Sequence, residues 1–233
     1  MVRRSRLACR RVTHKTPGRT PRKSRRARAC FDLAKANTRM PDTETLLREL
    51  NHRVKNNFQI IVSLMNLRKR MLPPDRREDI RFVEEHVQSM SVAYRHVYAT
   101  GSIVDVSLSD LIVEVLSGLR QIAALGEDQL RIEISTNNAS LGLDHAIALA
   151  LYLAVLLPPY LDRASATTGI VTVTVGVVAK QVTLTIRGSW NEPIVLDFLR
   201  NRLMRAYAGQ LEADIVPATV LGQEQIRFAS GPA

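Results

Sequence analysis

The stretch Leu50-Asn51-His52-Arg53-Val54-Lys55-Asn56-Asn57-Phe58 sets one imidazole among two cations and three amides. An imidazole that titrates near pH 6.5 is mostly neutral at pH 7, and in that form it is a nucleophile. It can attack an electrophilic phosphorus and hold the group as a phosphoramidate. Arg53 and Lys55 flank it and are suited to offset phosphate charge. Asn56 follows by four residues, so on a helix it stands about 40° round the same face. A metal site is not expected, because no second histidine or acid shares a ligand geometry with His52. A lone histidine is often a surface residue of no consequence; the segment around it decides.

That segment must be a helix. Apolar residues recur at helical spacing from Thr43 to about Leu72. At 100° per residue, with His52 at zero, Leu47, Leu50, Val54, Phe58, Ile61, Leu64, Met65 and Leu72 fall on the opposite half. Thr45, Arg48, Lys55, Asn56, Gln59, Ser63, Asn66 and Arg70 share the His52 side, which turns His52 to solvent. Pro73-Pro74-Asp75 ends the helix. A second helix is expected from about Arg76 to Tyr98, with Val83, Val87, Met90, Tyr94 and Val97 in a heptad seam. A short proline turn makes the two an antiparallel hairpin. One hairpin holds too little core, so pairing with a second copy into a four-helix bundle is expected.

Beyond Gly101 the pattern changes. Helices are expected at 108–125, 143–161 and 193–208, the last beginning at Pro193. Strands are expected at 129–136, 169–178, 181–187, 210–216 and 225–229, with a turn at Ala179-Lys180. The fold class is therefore α+β: the hairpin over 41–100, then an α/β sandwich over 101–233 with helices on one face of a mixed sheet.

The net charge of +11 suggests nucleic acid, but its distribution does not. Residues 1–40 hold 14 of the 33 Lys/Arg and a single acid, Asp32, leaving 19 basic and 21 acidic residues in the rest. The folded part is nearly neutral, and the tail reads as a disordered basic arm. Nucleic acid is thus not expected as the main partner. Cys9 and Cys30 are both in the tail, so the body has no disulfide framework, which suits a reducing cytoplasm. No apolar stretch of signal-peptide type follows the N-terminal charges. The uncharged run from Ala146 to Leu161 is shorter than the roughly 20 residues that span a bilayer and reads as a buried helix.

The segment L-L-R-E-L-N-H-R-V-K-N-N-F-Q-I-I-V-S-L-M-N-L (46–67) resembles the dimerisation and phosphoacceptor helix of two-component histidine kinases, in the subgroup called HisKA_2, related to the HWE kinases. The resemblance implies that His52 carries the phosphoryl group and that an ATP-binding α/β domain follows. It also implies that Asn56 can orient water for dephosphorylation, that the chain is a homodimer, and that response-regulator receiver domains are its partners.

The nucleotide boxes depart from the family's pattern. Where a helix like E-L-x-x-N-A-x-x-H-A is expected, the chain has V-L-L-P-P-Y-L-D-R-A (155–164). Val155 stands for the acid, Pro159 for the Mg²⁺-binding Asn, and Arg163 for the His. Proline has no side-chain oxygen for a metal and no N–H for the helix. The next box reads R-G-S-W-N-E-P (187–193), with Gly188 near the place of the adenine-reading Asp and Trp190 in place of a glycine. Pro158-Pro159 also reads as a helix stop and Trp190 as a packing residue, both compatible with a lost nucleotide site. The expectation is a cytoplasmic histidine phosphotransferase that relays phosphoryl groups between receivers through His52, without ATP. No cofactor is expected on this chain, and Mg²⁺ is expected on the receiver. The alternatives are an active autokinase with a divergent ATP site, and a non-enzymatic protein that sequesters or dephosphorylates a response regulator.

Overall fold

The computed structural model describes residues 43–99, 106–135, 139–217 and 220–231. The expected basic tail at 1–40 lies outside them. Helix α1 (Thr43–Met71) runs into a proline-started 3-10 turn (Pro74–Arg76), and α2 (Arg77–Ala99) returns. The Phe58 ring lies 5.5 Å from that of Tyr94, and Lys69 Nζ is 2.8 Å from Glu84 Oε2. Early α1 thus meets late α2, and late α1 meets early α2, as an antiparallel pair requires.

The rest follows as β1 (Val106–Ser107), α3 (Leu108–Ile122), β2 (Leu130–Ser135), β3 (Ser140–Leu141), α4 (Leu143–Thr167), β4 (Val171–Val178), β5 (Gln181–Gly188), α5 (Phe198–Gln210), β6 (Asp214–Val216) and β7 (Gln223–Ala229). The larger sheet has the order β2-β4-β5-β7-β6. Its β2–β4 pair is parallel and the others antiparallel. Val171, Val173 and Val175 on β4 are buried, as are Val182, Leu184 and Ile186 on β5, so period-two alternation turns one face of the sheet to the helices. The β4–β5 hairpin turns at Ala179 and Lys180, whose φ of 50° and 68° put both in the left-handed region that a two-residue turn demands. The mixed α+β fold expected from the sequence is the one observed.

Helix α4 is the spine of the core. Leu149, Tyr152, Leu153, Leu156, Leu157 and Tyr160 are fully buried on it, and it touches β4, β5, α2, α3 and α5. It is long and apolar enough to cross a membrane, yet most of that apolar stretch is buried inside the protein.

Three expectations need correction. The proline pair does not stop α4, which continues through Pro158 and Pro159 to Thr167. Burial on all sides holds the helix together where two backbone bonds are missing. Helix α5 begins at Phe198, not at Pro193, because Asp197 caps it, its carboxylate accepting from the Arg200 N–H at 2.8 Å. The heptad seam of α2 is also not its most buried face. Val83 is exposed, whereas Glu85, Ser89, Val92 and Ala93 are buried against the α/β half.

On α1, Val54, Phe58, Val62 and Met65 are half-buried, as is Leu72 just beyond its end. Ile60, Ile61, Leu64, Leu67 and Met71 stay exposed within the protomer. The steps from Ile60 to Leu64, Leu67 and Met71 are four, three and four, the spacing of a helix-packing seam.

Candidate functional site

His52 lies in the helical backbone of α1, but the side chains of His52 and Lys55 are outside the described residues, and with them the expected solvent-facing direction of the imidazole. Around that register position the helix is polar and wet. Asn56, Gln59, Ser63, Asn66 and Arg70 are exposed. Arg53 is also exposed and reaches back one turn to Glu49, Nη2 to Oε1 at 2.5 Å. A pair this open to solvent is worth only a few tenths of a kcal/mol, so the guanidinium is free to exchange partners. The face can thus present cations and an amide to an incoming group.

The second group of expected positions sits where α4 meets the end of β5. Val155 is buried in the core, and Pro159 lies in the middle of α4. Gly188 ends β5, its N–H donating to the Gly222 carbonyl at 3.1 Å. The Trp190 ring folds back onto Gly188. A Cβ at residue 188 would lie 2.2 Å from Cε2 of the indole, closer than any real contact. The ring also stands 6.1 Å from that of Tyr160, with the Arg163 guanidinium 5.7 Å from its centre. Arg163 is in turn paired with Glu192. Gly188 and Trp190 are therefore gathered against Tyr160 and Arg163, within one or two turns of Val155 and Pro159 on α4. A carboxylate at 188 has no room beside the ring, and position 159 offers no metal ligand.

A third cluster was not legible in the sequence. At the early end of α2, Arg81 Nε lies 2.9 Å from Glu85 Oε1, and Arg81 Nη2 lies 2.6 Å from Asp162 Oδ1 on α4. Arg200 of α5 approaches the other oxygen of Glu85. Burial raises the Glu85 carboxyl from 4.5 to about 7, and the pull of Arg81 and Arg200 toward the charged form does not offset it. Asp162 and Glu78 add to the rise. Next to it, burial lowers His86, whose Nδ1 is 2.7 Å from the Phe82 carbonyl oxygen.

These shifts act on stability with opposite signs. The folded state holds the Glu85 proton more tightly than the unfolded chain does, so its contribution is complete below pH 4.5 and is lost as pH rises through about 7. The folded state resists protonating His86, so that contribution is lost as pH falls below 6.5. Glu85→Gln isolates the first term. Urea unfolding should show the variant near wild type at pH 5 and more stable at pH 8 by on the order of 2–3 kcal/mol. Equal stability at both values would show that Glu85 is charged without cost.

Comparison with known proteins adds three findings. Residues 49–123 match the HisKA_2 family model, described as histidine kinase. No curated protein matches the chain. Among solved structures, the histidine kinase domain of the Erythrobacter litoralis EL346 blue-light activated histidine kinase is similar, with a TM-score of 0.56 at 17% identity over 81% of this chain and 94% of that one. The longer Erythrobacter litoralis EL346 blue-light activated histidine kinase has a TM-score of 0.51 at 17% identity, over 82% of this chain. The chain spans 64% of that longer protein's length. At such identity the likeness is one of fold: a helical hairpin followed by an ATPase-like α/β half.

Proposed function

We propose, from the match of residues 49–123 to the HisKA_2 histidine kinase model, that the protein is a cytoplasmic histidine phosphotransferase that relays phosphoryl groups without using ATP. The match suggests two-component signalling, dimerisation and response-regulator partners in general. The finer reading is carried by one observation: the Trp190 indole lies against Gly188, in the region where a kinase of this family would hold its nucleotide.

In this reading a receiver domain, carrying phosphoaspartate and its own Mg²⁺, docks on the polar face of α1. A ring nitrogen of His52 attacks phosphorus. An N–P bond forms as the P–O bond to the aspartyl carboxylate breaks, and the carboxylate leaves with the bonding pair. The proton on the other ring nitrogen passes to water or stays, according to pH. Arg53 and Lys55 offset the charge gathered at phosphorus. Asn56 orients a water when the group is to be hydrolysed. The reverse step hands the group to a second receiver, and the seam on α1 joins two copies of the chain.

Two measurements test this. Incubation with a panel of receiver domains charged by acetyl phosphate should place a phosphoryl group on His52, read by mass spectrometry. Titration with ATP and Mg²⁺ should leave the emission of Trp190, the sole tryptophan, unchanged. Calorimetry should agree. Saturable ATP binding with autophosphorylation would replace the reading with that of an active kinase.

A further inference from the structure

Two prolines inside a helix leave acceptors behind. Pro158 and Pro159 have no N–H to donate, so the carbonyls of Ala154 and Val155 lose their intrahelical donors. Both residues are buried, where an unpaired carbonyl is costly. The Val155 carbonyl is rescued from outside the helix: Arg200 Nη1 donates to it at 3.1 Å. Pro159, which stands where the family pattern has a metal-binding Asn, thus opens the acceptor that Arg200 fills.

Arg200 does more than satisfy α4. It is buried, and its guanidinium lies 3.8 Å from Glu85 Oε2, 3.7 Å from Asp197 Oδ2 and 5.0 Å from the centre of the Phe82 ring. Glu85 and Phe82 belong to α2. Arg81 makes the matching tie from α2, to Glu85 and to Asp162 of α4. Two guanidinium groups therefore join α2, α4 and α5 at one place. A planar fork with five donors can serve a carbonyl, a carboxylate and a ring face together. The place matters mechanically. The chain crosses from α2 to the α/β half at the far end of α2, about 25 Å from Arg81 at 1.5 Å per residue. A tie at the far end of a lever resists its rotation best.

We propose that Arg200 and Arg81 latch the helical hairpin to the α/β half, so that both move as one body and offer the His52 face and the α/β surface together to a docking receiver. Arg200 is a positioning residue in this scheme. Its effect on phosphotransfer rests on the function proposed above; the latch itself does not.

Hydrogen exchange on the intact protein tests it. Arg200→Met should raise exchange of the α2 amides over residues 81–93 by ten- to a hundredfold and leave β4 and β5 unchanged. Adding Pro159→Ala to that variant returns an N–H for the Val155 carbonyl but no tie to α2, so the α2 amides should stay loosened, which separates the latch from the repair of α4. Arg81→Met, which leaves the Arg200–Val155 bond in place, should loosen the same amides several-fold and stands in should Arg200→Met not fold. The proposal is overturned if α2 exchange is unchanged in both single variants, or if β4 and β5 accelerate equally. Absence of phosphotransfer in the wild-type protein, with this exchange pattern found, would remove the function and keep the latch. The opposite pair of results would do the reverse.

Discussion

His52→Gln is expected to lose phosphoryl uptake from a charged receiver by on the order of 10³-fold or more, because removing the nucleophile removes the covalent intermediate. The glutamine keeps a polar side chain of good helix propensity, so thermal stability and receiver binding should persist. The measurement is transfer of label from a phosphorylated receiver, followed by a pull-down of the same receiver. Uptake that survives the substitution would place the acceptor elsewhere, the other described histidines being His86, His96 and the half-buried His145. His86 is hydrogen-bonded to the Phe82 carbonyl and packed against the Phe82 and Tyr207 rings. His96 Nε2 lies 2.6 Å from Glu114 Oε2. Nε2 of both residues is buried away from a docking protein.

The second large effect is steric. Gly188→Ala puts a methyl group inside the volume of the Trp190 ring. Either the indole leaves its place between Tyr160 and Arg163, or the end of β5 shifts away from Gly222. Overpacking of this kind costs on the order of 3 kcal/mol, which for a chain of this size lowers Tm by roughly 6–12 °C. With one tryptophan in the sequence, its emission reports the outcome without a label. A fall in Tm with a red-shifted spectrum is expected. An unchanged Tm and spectrum would mean that the ring does not rest on Gly188 and that the region stays open to a base, which would also weaken the case against ATP.

The sequence carried the elements better than their meeting surfaces. Helical spacing and the Pro73-Pro74 break sufficed for the hairpin, and Val/Thr alternation sufficed for β4 and β5. Both signals live within one element. The 3-10 turn and the two-residue pair β1–β3 are too short to show a period. The buried face of α2 was missed because it contains Glu85 and Ser89, which read as solvent-facing until Arg81 and Arg200 are seen beside them. The start of α5 was misplaced because Pro193 is a strong start signal, and only the capping contact of Asp197 outweighs it. The proline pair was read as a stop because the local rule is right for exposed helices. It fails where a side chain 45 residues further along the chain supplies the missing donor. For the site, the spacing around His52 was legible and the crowding at Gly188 was not, since a glycine in a sequence does not say what occupies its empty side.

The exposed seam on α1 has a thermodynamic consequence. A single protomer carries Ile60, Leu64, Leu67 and Met71 into water, and the hairpin behind them has little core of its own. Folding of this half and association with another copy then draw on the same free energy. Under the proposed pairing of two copies along this seam, mass action makes the order of this half depend on how many copies share the compartment.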